Sequence, residues 1–330
     1  MGMVIKVIYK CPPKNECAPF EYAPGYVFTS DPACETYDWL VVYDEMPTRN
    51  LGTFRDGAET LRCPRSRTIL ATWEPVSVKA YSRAYTRQFA RLLTNRPREA
   101  ERHPGYFLGR GYYKWFNDRT YGENLNAILP EKTKLISTVC SSKRMKHTMH
   151  WQRYCITEHL AKAFPEMDWY GHGVKPLGKK YEALDPYKYH VCAENHIGAN
   201  HWSEKIADAL LCGCLPFYAG DPELAGTLPP GSFIPIPLDD PEEAERIVRR
   251  AIADNEYEKR RDAIAEARRL LLTKYNFWAQ TIACIESAPE MPCGAEQGEK
   301  IFSRKAVRRR NPVAAVEEGW FRFKQILHIR

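Results

Sequence analysis

One segment of this sequence combines residue types that can bind a negatively charged ligand. It reads YKYHVCAENHIGANHWSEKIADALLCGCLPFYAG. A strand-like run ends at Glu194 and Asn195, and a helical pattern begins at Ser203, with Glu204 and Lys205 in its first turn. Because a helix N-terminus offers unpaired N–H groups and a partial positive charge, this end of the helix together with Lys205 is suited to a diphosphate. Asn195 can donate to phosphate oxygens, and Glu204 can accept from ribose or sugar hydroxyls.

The same residues also have a simpler interpretation. Ser203 and Glu204 are common at the start of a helix, where they satisfy backbone N–H groups and the helix dipole. Lys205 can then face solvent without any ligand. Residue types and spacing by themselves leave both interpretations open.

A regular alternation of strands and helices from Lys134 onward predicts the elements that position this segment. Such alternation is typical of a parallel, doubly wound sheet, whose ligands bind at the carboxyl ends of the strands. Asp240 is suited to cap the helix that Pro241 opens. The predicted strands cover residues 135–140, 168–170, 189–193 and 215–218, and the predicted helices cover 146–164, 203–211, 241–253 and 257–272.

The N-terminal part of the chain predicts a second α/β half. Strand-like segments at 4–9, 39–43 and 68–72 are separated by loops rich in Pro and Gly. Residues 83–119 are polar, aromatic and irregular, which favours loops and short helices that either line a cleft or form a solvated surface. The predicted fold class is α/β, with two Rossmann-like domains facing each other across a cleft. The predicted boundaries are 1–125 for the N-terminal domain, 126–290 for the C-terminal domain and 291–330 for a basic tail.

The composition agrees with a globular protein of two domains. The 330 residues are 44% hydrophobic and 12% aromatic, which is enough for a sizeable core. The apolar stretches fall short of the ~20 residues that cross a bilayer, and the start MGMVIKVIYK lacks a signal-peptide cleavage site, so we expect a cytoplasmic protein. The 11 cysteines are scattered and odd in number, which predicts no disulfide framework. Cys11, Cys17, Cys34 and Cys63 lack the CxxC spacing typical of zinc sites.

The positive charge is confined to the C-terminal tail. The net charge is +7, and residues 300–330 alone hold nine Lys or Arg against two Glu. A nucleic-acid groove interleaves cations with aromatics, so this distribution argues against a nucleic-acid partner. Residues 312–329 have apolar positions at helical spacing, and with Arg308, Arg309 and Arg310 nearby this helix can lie peripherally on the anionic inner face of a membrane. The alternative is a terminal helix packed on the protein with a solvated basic face.

The order of residues in the opening segment resembles the donor-site signature of glycosyltransferase family 10, the α-1,3-fucosyltransferases. The family pattern reads approximately YKFxxxFEN, then TEK, then G-x-(V/I)-P, then a glycine and SFI. Three positions depart from it: Ala193 replaces a Phe, His201 a Tyr and Ser203 a Thr. The matching residues are Tyr187-Lys188-Tyr189, Glu194-Asn195, Ser203-Glu204-Lys205, Gly213, Leu215-Pro216, Gly220 and Ser232-Phe233-Ile234.

This resemblance implies an inverting, metal-independent glycosyltransferase of the GT-B type that transfers fucose from GDP-fucose to a hydroxyl of a glycan acceptor. The GDP-sugar would bind the C-terminal domain and the acceptor the N-terminal domain. The family has an Arg near the start of the helix after the strand LISTVCSS, and the spacing to Leu160 and Gly171 assigns it to Arg153, with Lys143 and Arg144 as alternatives. The implied donor-binding residues are Arg153, Glu194, Asn195, His201, Ser203, Glu204 and Lys205.

The strand at 68–72 and the residues Trp73-Glu74-Pro75 resemble the family's strand that ends in the proposed general base. Glu74 would take the proton from the acceptor hydroxyl as its oxygen attacks the anomeric carbon, while Arg153, Lys205 and the helix N-terminus stabilise the departing GDP. The pKa of Glu74 would have to be raised by partial burial. Otherwise Glu74 is a residue of an exposed turn. The chain contains no Asp-x-Asp pair to hold a divalent ion, so we expect protein cations in place of a metal and no cofactor.

Other functions remain open from the sequence. The departure at His201 allows a different GDP-hexose as the donor. The same fold also serves a non-catalytic sugar-binding or scaffold protein. Residues 10–35 and 75–120, where acceptor recognition is expected, match no recognisable pattern, so the sequence does not identify the acceptor.

Overall fold

Two structural units make up the chain in a computed structural model, which describes residues 2–11, 18–111, 115, 117–144, 149–289 and 298–326, with side chains to 323. Unit 1 consists of Met1–Tyr112 and Trp278–Arg330, and unit 2 is Tyr113–Phe277. These boundaries differ from the predicted 1–125, 126–290 and 291–330. The first unit ends earlier, and the C-terminal residues belong to it instead of forming a separate tail.

A seven-stranded sheet forms the centre of unit 1. Its N-terminal elements are β1 (Met3–Tyr9), β2 (Phe20–Ala23), β3 (Tyr26–Thr29), β4 (Trp39–Tyr43), β5 (Ala58–Thr60), β6 (Thr68–Thr72), α1 (Arg83–Thr86), β7 (Arg91–Thr94), α2 (Arg98–Glu101) and β8 (Tyr106–Leu108). The strand order is β2-β3-β1-β4-β6-β7-β8, and all neighbours are parallel except β2 and β3. Every residue of β4 and β6 is buried, because a parallel sheet is covered on both faces.

Unit 2 contains a five-stranded sheet that is parallel throughout. Its elements are α3 (Tyr121–Asn126), β9 (Lys134–Val139), α4 (Met149–Ala163), β10 (Asp168–Tyr170), β11 (Tyr187–Ala193), α5 (Glu204–Leu211), β12 (Leu215–Ala219), β13 (Ile234–Pro235), α6 (Pro241–Ala253), α7 (Glu256–Lys259) and α8 (Arg261–Thr273). The order is β10-β9-β11-β12-β13. Asp240 caps α6 as predicted, because its Oδ1 accepts from Glu243 N at 2.9 Å. The helix predicted at 257–272 is wrong in one respect: it is broken at Arg260, whose backbone leaves helical geometry (φ −109°, ψ 11°).

The C-terminal segment, residues 298–326, folds onto unit 1. It follows α9 (Phe277–Glu286) and contains β14 (Lys300–Phe302), α10 (Arg304–Arg310) and α11 (Pro312–Ile326). Strand β14 pairs antiparallel with β5, with Ile301 opposite Glu59, and Val307 and Ala314 are buried in the unit 1 core. This pairing and burial are the physical reason why the prediction of a separate tail was wrong. The predicted end of the last helix, at residue 329, lies outside the described residues.

The stretch 83–119 is more regular than predicted. It contributes β7 and β8 to the unit 1 sheet, in addition to α1 and α2. Strands of four and three residues are too short to show a clear two-residue periodicity, which explains why the sequence suggested loops. Residues 112–114 and 116 of this stretch lie outside the described residues.

The chain has the predicted α/β fold class, with two Rossmann-like domains built on parallel sheets. This is the domain content of the GT-B type. The predicted facing of the two domains across a cleft stays a prediction. Within the described ranges, no helix is both long enough and apolar enough to cross a membrane. The nine cysteines in the described part of the chain are free thiols, while Cys17 and Cys293 lie outside it.

Candidate functional site

The unit 2 sheet has a topological switch point between β9 and β11. Strand β10 lies on one side of β9, whereas β11 and β12 lie on the other side. Ligands of open parallel sheets bind outside the carboxyl ends of the strands at such a point. Asn195 follows β11 closely, and Arg153 belongs to α4, the helix after β9. The structure brings these two predicted residues together, since Arg153 Nη1 donates a hydrogen bond to Asn195 Oδ1.

Arg153 is a buried cation with no carboxylate partner among the described residues. It is 8% exposed, and its Nε is buried without a hydrogen-bond partner in that part of the chain. A buried charge that lacks a partner costs on the order of several kcal/mol. Its hydrogen bond uses the oxygen of the Asn195 amide and leaves the Nδ2 group to donate elsewhere. The pair therefore offers positive charge and N–H donors, which are what an anion requires.

Glu194 organises the first turn of α5. It is 1% exposed, and its Oε1 accepts hydrogen bonds from Ser203 N at 2.9 Å and Ser203 Oγ at 2.8 Å. Its Oε2 is 3.2 Å from Lys205 Nζ. Ser203 caps α5, as the simpler interpretation holds, but the Lys205 side chain is only 19% exposed and does not extend into solvent. The described contacts of Glu194 are thus made with the protein, and they position Ser203 and Lys205.

Lys205 and Glu204 form a charged pair at the start of α5, with Lys205 Nζ 3.1 Å from Glu204 Oε1. Burial acts to lower the pKa of Lys205, but the charges of Glu194 and Glu204 outweigh it, so the pKa is raised and the amine stays protonated at neutral pH. Burial likewise acts to raise the pKa of Glu204, and Lys205 reverses the direction, so this carboxylate stays an acceptor. Arg153 opposes protonation of Lys205. An anion near these two cations would therefore relieve their repulsion.

Lys180 is a further cation of this region that sequence reasoning missed. Its Nζ is 2.6 Å from Asp208 Oδ2 on α5, and Asp208 is fully buried. Its charge also contributes to lowering the pKa of Glu204. Lys180 precedes α5 by a whole strand and a loop, so no local spacing connects it with Lys205. The ion pair with Asp208 is a tertiary contact, so only the folded structure shows that Lys180 lies beside α5.

Gly220 permits the close approach of Glu194 to the end of β12. A Cβ atom added at this glycine would lie 2.6 Å from Glu194 Cγ and 2.2 Å from Tyr218 Oη. Both distances are far below van der Waals contact. The glycine that the resemblance includes at this position is therefore needed for packing around the buried carboxylate.

His201 lies in the loop that enters α5 and is buried. Its ring packs edge-to-face against His196, with the ring centroids 5.1 Å apart. Burial lowers the pKa of His196, which favours a neutral ring beside His201. A hydrogen bond from His201 to phosphate stays a prediction.

Glu74 lies in unit 1, two residues after β6, and is partly buried. Arg96, which follows β7, donates from its Nε to the backbone oxygen of Glu74 at 2.8 Å. Burial raises the pKa of Glu74, and the negative charge of Asp44 raises it further, while Lys79 and Arg96 act in the opposite direction without cancelling the shift. A carboxyl group with a raised pKa is a better proton acceptor near neutral pH. The electrostatic condition expected for a base is met, and the role itself stays a prediction.

Glu74 belongs to a group of charged residues at the carboxyl ends of the unit 1 strands, called here the strand-end cluster. Asp44 follows β4 with a left-handed backbone (φ 67°), a conformation that is strained for residues other than Gly. Lys79 Nζ lies 2.6 Å from Asp44 Oδ2 and 2.8 Å from Glu45 Oε1. The members of the cluster are Lys10, Asp44, Glu45, Glu74, Lys79, Arg96 and Arg304.

The strand-end cluster spans the switch point of the unit 1 sheet, between β1 and β4. Lys10 follows β1, and its Nζ is 2.9 Å from Glu45 Oε2. Burial acts to raise the pKa of Glu45, but hydrogen bonds from Lys79, Lys10 and Arg304 outweigh it and hold the pKa at about 2. Sequence reasoning found only Glu74 here. A search for charged residues directly after each buried strand would also have found Lys10, Asp44 and Glu45.

The residues of the candidate site do not form a metal centre. Within the described ranges, no group of three or more His, Cys, Asp or Glu could hold a metal ion. The donor set around Arg153 and Lys205 is cationic, which suits an anion. The predicted independence from a metal stays a prediction.

Comparison with known proteins gives a short sequence match. No protein-family model matches the chain. The α-(1,3)-fucosyltransferase FucT of Helicobacter pylori is 39% identical over 64 residues, which make up 19% of this chain and 13% of that protein. The match therefore spans a small part of the relative. The relative is an α-(1,3)-fucosyltransferase, the type of enzyme whose donor-site signature the order of residues resembles.

Solved structures of glycosyltransferases show distant similarity. An α-1,3-fucosyltransferase is 17% identical with a TM-score of 0.49, covering 87% of this chain and 90% of its own. The same type of enzyme with GDP-fucose has a TM-score of 0.46 at 16% identity, covering 95% of this chain and 90% of its own. An α-glucosyltransferase with UDP and DNA has a TM-score of 0.48 at 10% identity, covering 87% of this chain and all of its own. All three TM-scores are below 0.5. The fold class follows from the topology of the two parallel sheets.

Proposed function

We propose that this protein is a glycosyltransferase of the GT-B type that transfers fucose from GDP-fucose to a hydroxyl of a glycan acceptor. The observation that carries the proposal is Arg153, a buried cation without a described counter-charge, placed with Asn195 at the switch point of the unit 2 sheet. The short match to the Helicobacter pylori α-(1,3)-fucosyltransferase supports the choice of sugar and nucleotide.

In the proposed donor site, the diphosphate of GDP-fucose lies between Arg153 and the first turn of α5. Arg153 supplies a planar pair of donors, Lys205 a point charge and Asn195 an amide donor. The N-terminus of α5 adds a partial positive charge. Glu194 holds Ser203 and Lys205 in place through the contacts described above, while Glu204 is available to accept from a sugar or ribose hydroxyl.

The proposed chemistry is a single displacement with inversion at the anomeric carbon. The acceptor oxygen attacks that carbon, its proton goes to the Glu74 carboxylate, and the bond between fucose and GDP breaks. Negative charge then grows on the GDP oxygen, where Arg153 and Lys205 stabilise it. Since these cations meet the charge of the diphosphate, we propose that transfer proceeds without a metal ion.

Nucleotide affinity tests the donor site and distinguishes the sugars. Calorimetry in EDTA with GDP, GDP-fucose and GDP-mannose should show binding to the wild type, with GDP-fucose ahead of GDP-mannose. Lys205→Ala should weaken GDP by ~1.5 to 3 kcal/mol, the value of a hydrogen bond to a charged group, or roughly ten- to hundredfold. Lys162→Ala is the matched control, because this lysine is 75% exposed on α4. Absence of binding by every guanine nucleotide would sink the proposal, and a preference for GDP-mannose would favour another GDP-hexose as donor.

We also propose that α11 contacts an anionic membrane surface. Its exposed apolar residues recur at helical spacing: Val313, Val316, Trp320 and Phe323 are 65%, 70%, 57% and 48% exposed. Exposed cations accompany them: Lys305, Arg309, Arg310 and Arg322. An apolar face bordered by cations is suited to the interface of an anionic bilayer.

Vesicle sedimentation tests this contact. The wild type should bind vesicles that contain phosphatidylglycerol more strongly than vesicles of phosphatidylcholine alone. Trp320→Glu should weaken that binding at least about tenfold, because burying one large apolar side chain contributes about 1.5 to 3 kcal/mol. Ile128→Glu is the control, since Ile128 is 96% exposed in unit 2. Equal binding of the two variants would contradict a role for α11.

A further inference from the structure

Arg304 connects the C-terminal segment to the strand-end cluster. It is the first residue of α10, and its side chain is 13% exposed. Its Nη1 is 2.7 Å from Glu45 Oε1, although the two residues are 259 positions apart in the chain. Its Nε donates to Glu318 Oε1 of α11 at 2.9 Å. The guanidinium group therefore joins a carboxylate after β4 to the last described helix.

From Glu45 the contacts continue to the neighbourhood of Glu74. Lys79 Nζ bridges Glu45 and Asp44 at 2.8 and 2.6 Å. Arg96 donates to the Lys79 backbone oxygen at 2.5 Å and to the Glu74 backbone oxygen at 2.8 Å. An unbroken series of ion pairs and hydrogen bonds thus runs from Arg304 to the loop that carries Glu74.

We infer that Arg304 is a positioning residue for Glu74, acting through Glu45 and Lys79. The inference rests on the proposed function, in which Glu74 is the base. It assigns the C-terminal segment to the acceptor side of the reaction, because that segment supplies one of the three cations that hold Glu45.

The electrostatic reason is the sharing of Lys79 between two carboxylates. Without Arg304, Glu45 keeps only Lys79 and Lys10, and the Lys10 side chain is 51% exposed and well hydrated. Glu45 then draws Lys79 away from Asp44. The negative charge of Asp44 is less balanced as a result, and it acts more strongly on Glu74, whose pKa it already raises.

The groups that act on Glu74 come from each neighbouring strand end and from the C-terminal segment. Asp44, Lys79 and Arg96 act on it directly. Lys10 and Arg304 act through Glu45. Asp44 also accepts hydrogen bonds from the Tyr81 hydroxyl and from Lys79. Removing either Lys10 or Arg304 leaves every residue next to Glu74 in place, and Arg304 is the more buried of the two, at 13% against 51% exposure.

A simpler role for Arg304 is to dock the C-terminal segment through Glu318. Arg308 provides a matched control, because its Nη1 is 2.8 Å from Glu318 Oε2 and its described ion pair does not involve Glu45. Loss of docking affects both arginine variants alike. A change in Glu74 affects only the variant at Arg304.

The test compares the pH dependence of kcat for wild type, Arg304→Gln, Arg304→Lys and Arg308→Gln. We expect the acid limb of the Arg304→Gln profile to move to higher pH by about one unit, which lowers kcat below the midpoint by about tenfold. Arg304→Lys should restore part of the shift, and Arg308→Gln should keep the wild-type profile. GDP affinity should be the same in all four proteins, because the donor site lies in unit 2.

Carbon-13 NMR of glutamate carboxylates gives a second measurement that does not depend on turnover. With the Glu74 signal assigned through Glu74→Gln, Arg304→Gln should raise its titration midpoint. Equal profiles for Arg304→Gln and Arg308→Gln, or an unchanged Glu74 midpoint, overturn the inference. A shifted Glu74 midpoint in a protein that transfers no sugar instead refutes the proposed function and retains the electrostatic link.

Discussion

Replacing Arg153 with alanine is expected to lower the kcat of the proposed fucosyl transfer by about 100- to 1000-fold, as does the loss of one donor that stabilises transition-state charge. The reason is that negative charge on GDP is greatest as the bond to fucose breaks, and Arg153 is a buried cation with no described carboxylate to compete for it. GDP affinity should fall less than kcat, since in the proposed donor site Lys205 and Asn195 also bind the ground-state diphosphate. Steady-state kinetics together with calorimetry measure both quantities.

Further arginine variants test whether the loss of kcat is specific to Arg153 and to its guanidinium group. Arg153→Lys keeps the charge but loses the planar pair of donors, so its kcat should lie between those of wild type and alanine. Arg246→Ala should be neutral, because Arg246 is 72% exposed on α6. Lys143 and Arg144 were the alternative assignments, and in the structure the Arg144 guanidinium stacks on Tyr154, 4.2 Å from the ring centroid. If Arg153→Ala keeps wild-type turnover and Arg144→Ala loses most of it, the phosphate contact is assigned to Arg144 instead.

The sequence was most informative where buried strands are long and continuous. The predicted strands 39–43 and 68–72 have the same bounds in the structure, since an apolar run limited by polar residues has only one position in a parallel sheet. The predicted strand 168–170 also has the observed bounds, although it is short and only its last residue is buried. The strands that were missed are β2, β3, β5, β7, β8, β13 and β14. They are two to four residues long, and β5 and β14 depend on pairing between distant parts of the chain.

Tertiary contacts also explain why the prediction of a separate basic tail was wrong. The charge pattern of residues 300–330 suggested a free basic segment, but Arg304 and Arg308 pair with Glu318, and Arg304 also pairs with Glu45. Glu318 lies in the same tail, so composition alone counted it as a small reduction of net charge. In the structure Glu318 is 1% exposed and pairs with both arginines, so it is the centre of an ion-pair network.

In the candidate site, the order of residues predicted a donor-binding segment, and the structure shows the contacts that its residues make. Asn195 and Arg153 touch, although 42 positions separate them. Glu194 was predicted as a donor-binding residue, and the described hydrogen bonds of its side chain are with Ser203, inside the protein. A carboxylate that binds a ligand and one that accepts hydrogen bonds at the start of a helix can occupy the same position after a strand. The sequence pattern alone therefore does not distinguish the two.

The proposed base, Glu74, is the second residue at which a large effect is expected. Glu74→Gln should lower kcat by about 100- to 10,000-fold, the usual contribution of a general base, and leave GDP affinity unchanged. The amide keeps the size of the carboxyl group but cannot take a proton. Because the pKa of Glu74 is raised by burial and by Asp44, wild-type kcat should fall on acidification at a pH above the ordinary glutamate range, and this acid limb should be absent from the residual activity of Glu74→Gln.

The neighbouring carboxylates are the controls that identify the base. Glu45 is unsuited to the role, because Lys79, Lys10 and Arg304 hold its pKa at about 2 after outweighing its burial, and a weak base gains little by taking a proton. Asp44→Asn removes a charge that raises the pKa of Glu74, so the acid limb should move to lower pH while turnover persists. If Asp44→Asn abolishes turnover and Glu74→Gln does not, the proton goes to Asp44. Either result depends on the same feature of the fold, which places both carboxylates after adjacent parallel strands of unit 1.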